Sequence, residues 1–121
     1  MVYPEDGGHL ILISNRHVVD VRFFTPLETI EYINFIQIAS TVIYALLSKI
    51  RIPIGRVNYH DNGNLEADKK IGAHQHLHIF GRSKESSQQT WKDNLRFPPW
   101  DPENIYYQNS THFSLAEKMK Y

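Results

Sequence analysis

Three histidines stand at alternate positions, His74, His76 and His78, within the run Ala-His-Gln-His-Leu-His-Ile-Phe at Ala73–Phe80. Strict alternation belongs to an extended strand, whose successive side chains point to opposite faces. The run is therefore read as a strand that turns three imidazoles to one face and Gln75, Leu77 and Ile79 to the other. Each imidazole carries two ring nitrogens that need partners. A row of three is poor core material, and the face that carries it reads as a functional site.

Two chemistries suit aligned imidazoles. Neutral imidazole is the commonest metal ligand, and the His triad could hold a metal with His9, His60 or an acid completing the set. A neutral imidazole is also a competent nucleophile at phosphorus, with its neighbours bonding phosphate oxygens and serving the leaving group. Spacing alone leaves both open. The absence of Cys removes disulfides, thiolate metal sites and Cys nucleophiles. Thirteen basic residues balance thirteen acidic ones, so no nucleic-acid partner bound through bulk charge is expected.

The 121 residues suit one domain, 1–121. His9–Ile13 is a short apolar run after Gly7-Gly8 and reads as a buried strand. Val18–Phe24, β-branched and aromatic, reads as a second, shorter strand. Thr25-Pro26-Leu27-Glu28 is a helix start: Thr25 caps, Pro26 suits the first position, and Glu28 completes a capping box. The helix runs to about Lys49, with a core face of Ile30, Ile33, Ile36, Ala39 or Ser40, Ile43, Leu46 or Leu47 and Ile50. Phe35, Ile38, Val42 and Tyr44 widen its apolar surface, which points to a second face against a partner subunit. Pro53 ends the helical region, and Ile54–Tyr59 reads as a strand. His60–Lys70 is a polar loop, Arg96–Pro102 is too rich in Pro for regular structure, and Ser114–Lys120 reads as a short helix. No signal peptide is visible at Met1. Ile30–Ile50 carries Glu31, Asn34, Gln37, Ser40, Thr41 and Ser48, too polar for a membrane span. A soluble cytoplasmic protein is expected.

The string His74-Gln75-His76-Leu77-His78-Ile79-Phe80 resembles the motif of the histidine-triad family of nucleotide hydrolases and transferases. Gly8-His9-Leu10-Ile11-Leu12-Ile13-Ser14-Asn15-Arg16-His17-Val18 is similar to that family's Gly-His strand ending in a basic residue and His-Val. The order strand, long helix, strand, triad strand also matches, over residues 7–82, with 83–121 as a tail of unassigned structure. The resemblance implies an α+β fold, an antiparallel sheet packed against one long helix and joined across a homodimer.

It also implies chemistry. His76 would attack the α-phosphorus of a nucleoside phosphoramidate or dinucleoside polyphosphate, forming a nucleotidyl-histidine that water hydrolyses. A backbone carbonyl on the triad strand would hold its tautomer. His78 would contact a phosphate oxygen, with His74 and His9 orienting the others. Asn58 resembles the family's phosphate-side Asn, and Lys70 and Arg82 join it as expected substrate contacts, with Arg56 and Lys69 as further sources of charge. No metal or other cofactor is required; the expected partners are a small nucleotide and a second copy of the chain. A binding protein of the same fold with little turnover and a metal site on the triad are the alternatives. Gln75 stands where the family prefers an apolar residue, and its amide must find partners on the helix side. Trp91, Phe97, Trp100, Tyr106 and Tyr107 are read as packing against the sheet, with a face for a base as the alternative. His17, His60 and His112 are read as surface residues.

Overall fold

The computed structural model describes residues 8–61, 70, 72–87 and 89–96. It is an α+β structure of β1 (His9–Ile13), a 3₁₀ turn (Val21–Phe23), α1 (Pro26–Lys49), β2 (Ile54–His60) and β3 (His76–Ser83). The three strands form one antiparallel sheet in the order β1-β3-β2, so the triad strand lies in the middle. The reading of Phe97, Trp100, Tyr106, Tyr107, His112 and the helix at Ser114–Lys120 lies outside the described residues, as do Lys69 and most of the 60–70 loop.

The start of α1 is built as its sequence dictates. Thr25 Oγ1 accepts from Glu28 N at 3.2 Å, and Glu28 Oε2 accepts from Thr25 N at 2.7 Å. The Arg16 guanidinium grips both Glu28 oxygens at 2.8 and 2.9 Å and donates to Phe23 O. That clamp, with the Thr25 amide, holds the Glu28 carboxyl down at about 2.

The segment expected as a second strand is not one. Asp20 accepts from the backbone of Arg22 at 2.8 Å, which caps the 3₁₀ turn at Val21–Phe23 and bends the chain toward Thr25. Val18 alone stays with the sheet region: it is buried, and its carbonyl accepts from Gln75 N at 2.7 Å.

The core lies between α1 and the sheet. Ile43 and Leu47 pack on Val57, Leu77 and Ile79, flanked by Leu12, Tyr32, Ile36, Ala39, Ile52 and Ile54. The core stripe on α1 is thus Tyr32, Ile36, Ala39, Ile43 and Leu47. Ile36, Ala39, Ile43 and Leu47 of the expected face are in it, whereas Ile30, Ile33 and Ile50 are exposed. A helix apolar on most of its circumference offers periodicity no single face to select, and docking on the sheet chose one. By length and composition α1 qualifies as a membrane span, despite the polar residues expected to prevent it. It docks on the sheet through Ile43 and Leu47, and 11% of its most apolar 18-residue stretch is buried.

β3 begins later and ends later than its sequence suggests, at His76–Ser83 rather than 73–80. Beyond Ser83 the chain turns back over the sheet. Gln89 exchanges hydrogen bonds with the Arg96 backbone at 2.8 and 3.0 Å, and Leu95 packs on Phe80. Packed structure therefore continues past residue 82.

Candidate active site

Strand pairing decides what shares a face with the histidines. His76, His78 and Phe80 pair with Ile13, Ile11 and His9 of β1. His78, Phe80 and Arg82 pair with His60, Asn58 and Arg56 of β2. Paired residues of antiparallel strands point the same way. The face opposite α1 therefore carries His9, Arg56, Asn58, His60, His76, His78 and Arg82. Leu77 and Ile79 go to the helix side, as the alternation requires.

Gln75 also lies on the helix side, buried, and its amide finds the partners it needs. Nε2 donates to Asp61 Oδ2 at 2.9 Å and to Tyr32 Oη at 3.3 Å.

His76 Nδ1 lies 2.8 Å from the backbone oxygen of His74. A carbonyl can only accept, so Nδ1 carries the proton and Nε2 keeps its lone pair. Nε2 has no hydrogen-bond partner among the described residues, and the ring meets that of His78 edge-on with centroids 4.9 Å apart.

His78 is tied to β1. Its Nδ1 is 2.8 Å from His9 Nε2, and His9 in turn stacks on Phe80 with centroids 4.2 Å apart. Burial, with His78 beside it, pushes His9 down to about 3. Burial, with His76 and His60 beside it, pushes His78 down to about 4, against the opposing pull of Asp61. Both rings are neutral near pH 7, so the hydrogen they share has one donor and one acceptor.

His74 precedes β3 and leaves the row. Its Nε2 donates to Ser14 O at 2.8 Å, and its ring lies beside His17, centroids 5.1 Å apart. Its side chain anchors the chain after β1, while its carbonyl sets the His76 tautomer. Lys70 is exposed, and among the described residues no hydrogen bond or ion pair links it to the histidines.

Beside the triad, between β2 and the turn at residues 90–95, lies a cavity of about 300 Å³. Arg56, Asn58, His60, Arg82, Trp91 and Lys92 line it, and Asp93, Asn94 and Leu95 close its wall. His60, read from sequence as a surface residue, is half-buried here with its ring edge on Phe80. Burial and the Arg82 charge lower its pKa. Its place was legible: Arg56, Asn58 and His60 alternate as the triad does. Trp91 lies against β2 as expected, where Gly55 leaves room for it; a Cβ at Gly55 would overlap the indole. Lys92 gave no signal, because only the turn after β3 brings it here.

Arg82 is a substrate contact by expectation and a buried brace by geometry. It is 4% exposed and donates to the carbonyls of Thr90 and Asp93 at 3.2 and 3.3 Å, which fixes the cavity wall.

The arrangement favours one of the two chemistries. Among the described residues no three His, Asp or Glu side chains converge as metal ligands. The nitrogens of His9 and His78 that face each other are spent on their mutual hydrogen bond. What remains is the Nε2 of His76, the lone-pair nitrogen of this tautomer, beside the neutral His78 ring and bordered by cations. Comparison with protein-family models, with curated proteins and with solved structures finds no significant match.

Proposed function

We propose that this protein is a nucleotide hydrolase or transferase of the histidine-triad type, which cleaves at an α-phosphate through a covalent nucleotidyl-histidine on His76. The observation that carries the reading is the hydrogen bond from His76 Nδ1 to the His74 carbonyl. It leaves the Nε2 lone pair as the nucleophile, on a sheet face with His78 and Asn58.

In the first step His76 Nε2 bonds to the α-phosphorus, and the bond from phosphorus to the leaving group breaks, its electron pair going with that group. With His9 Nε2–H donating to His78 Nδ1, His78 holds a proton on its own Nε2. It donates this hydrogen bond to a non-bridging phosphate oxygen, where charge builds in the transition state. The Nδ1–H of His76 keeps its hydrogen bond to the His74 carbonyl, which stabilises the charge the ring acquires. In the second step water bonds to phosphorus, the P–N pair returns to Nε2, and the proton of water goes to solvent. Splitting the displacement in two is what the nucleophile contributes. His9 and His74 position the two working rings without touching phosphorus. No metal enters these steps.

The histidine-triad fold assignment and the homodimer belong to the same proposal. The exposed apolar residues of α1, among them Leu27, Ile30, Ile38 and Leu46, together with Ile11 and Ile13 on β1, support burial against a second copy. Cytoplasmic location is the corresponding expectation. The test is hydrolysis of adenosine 5′-phosphoramidate and diadenosine polyphosphates by the wild type and by His76→Ala. Turnover by the wild type that disappears in His76→Ala supports the reading. Tight nucleotide binding without turnover would replace it with a binding protein.

A further inference from the structure

Arg56 and Arg82 are direct partners in the β2–β3 register, and both side chains line the cavity on the triad face. Like charges placed opposite one another cost stability. Arg82 is almost fully buried, its partners are backbone carbonyls, and no carboxylate pairs with it among the described residues. A buried cation without a counter-charge is expensive. Among the described residues the one acid on the wall, Asp93, lends Arg82 its carbonyl, while its carboxylate lies 3.9 Å from Arg96. Lys92 adds a third cation and holds a left-handed backbone at φ 79°, a conformation costly for any residue but glycine. The cavity is thus built positive, and among the described residues no carboxylate balances it.

We propose that this cavity is the subsite for a phosphate-bearing leaving group, held by Arg56 and Lys92 with the Trp91 indole as one wall and the buried Arg82 adding its charge from behind, so that nucleoside polyphosphates are preferred to phosphoramidates. The inference rests on the nucleotidyl-transfer reading above. A nucleoside is uncharged and would leave three cations unanswered, whereas a phosphate chain matches them, and guanidinium forks bind phosphate oxygens in pairs. The chemistry beside the cavity points the same way. The neutral His78 ring is a hydrogen-bond donor and a poor acid, so the leaving group departs without a proton. A phosphate chain can do this: the bond from the α-phosphorus to the bridging oxygen breaks, and the oxygen keeps the pair as an anion. An amine leaving from a phosphoramidate must first be protonated.

Calorimetric titration with inorganic tripolyphosphate tests the subsite without turnover. The comparison is wild type, R56Q/K92Q, whose two side chains are exposed, and R22Q, at an exposed arginine on the 3₁₀ turn. The wild type and R22Q should bind equally, and R56Q/K92Q at least tenfold more weakly. No binding by the wild type, or equal weakening in both variants, overturns the subsite. In parallel, wild-type kcat/KM should be higher for diadenosine tetraphosphate than for adenosine phosphoramidate, and the reverse order overturns the preference. Tripolyphosphate binding with no turnover of any nucleotide would instead sink the hydrolase reading and leave the anion site standing.

Discussion

The imidazole of His76 donates its Nδ1 proton to the carbonyl of His74, two residues earlier on the same chain, at 2.8 Å. A residue and its second neighbour cannot slide apart without breaking the extended backbone, so the tautomer of His76 is set by the start of β3 itself. The bond decides which nitrogen carries the proton in the neutral ring and leaves the lone pair on Nε2. Replacing His76 by Ala should lower turnover by roughly 10⁴-fold or more, the order expected when a covalent nucleophile is removed. Initial rates with the preferred nucleotide check it, and a loss below tenfold would be inconsistent with a nucleophile.

On the proposed mechanism His78→Ala removes the hydrogen bond to the phosphate oxygen, and it frees His9. The expected loss is about 10²–10³-fold in kcat, the magnitude for one donor at a developing oxyanion. KM should change far less, since the bond strengthens in the transition state. Steady-state kinetics separate the two, and a pure KM effect would contradict the assignment.

The His9–His78 pair makes stability depend on pH. Both groups fall from an ordinary value of 6.5 to about 3 and about 4 in the folded chain. Above pH 6.5 both are neutral whether folded or not, and the fold has its full stability. As pH falls below that value, the unfolded chain takes up protons that the folded chain refuses, so stability declines toward the folded pKa values. Melting temperature should drop steadily over this window, with a shallower slope in His9→Gln. Imidazole nitrogen shifts should show both rings still neutral at about pH 5. A flat profile would mean the pair is not buried as described.

Gly55 sits at the irregularity in the β2–β3 pairing, under the Trp91 ring and the Lys84 side chain. Gly55→Ala forces Trp91 off the strand. The expected cost is roughly 1–3 kcal/mol, as for overpacking elsewhere, together with weaker tripolyphosphate binding because the cavity wall moves. Denaturant unfolding and calorimetry read the two effects.

Thr25→Ala removes the side-chain half of the capping box at α1. About 1 kcal/mol should be lost in urea unfolding. The Arg16–Glu28 pair remains, so a loss several times larger is not expected.

The parts of the fold that sequence made legible are those set by local rules. The Thr25 cap, the length of α1, strands β1 and β2, and the alternation of His76 and His78 all follow from neighbours a few residues apart. What escaped was set at a distance. The face α1 buries depends on the sheet it meets, because its apolar residues go nearly all the way round. Val21–Phe23 has strand-forming composition, yet the Asp20 side chain captures its backbone first. His74 belongs to the row by spacing, but Ser14 draws its ring away. Lys92 joins the cavity only because the chain reverses after Ser83, and nothing in its neighbours signals that.

The most direct measurement is the intact mass of the wild-type protein, His76→Ala and His78→Ala during exposure to nucleoside polyphosphates and phosphoramidates. The account predicts one added nucleoside monophosphate on the wild type, more of it on His78→Ala if release is slowed more than attack, and none on His76→Ala, with the modified peptide carrying the mass on His76. No adduct and no product from any of these substrates, or an adduct that survives His76→Ala, would contradict it.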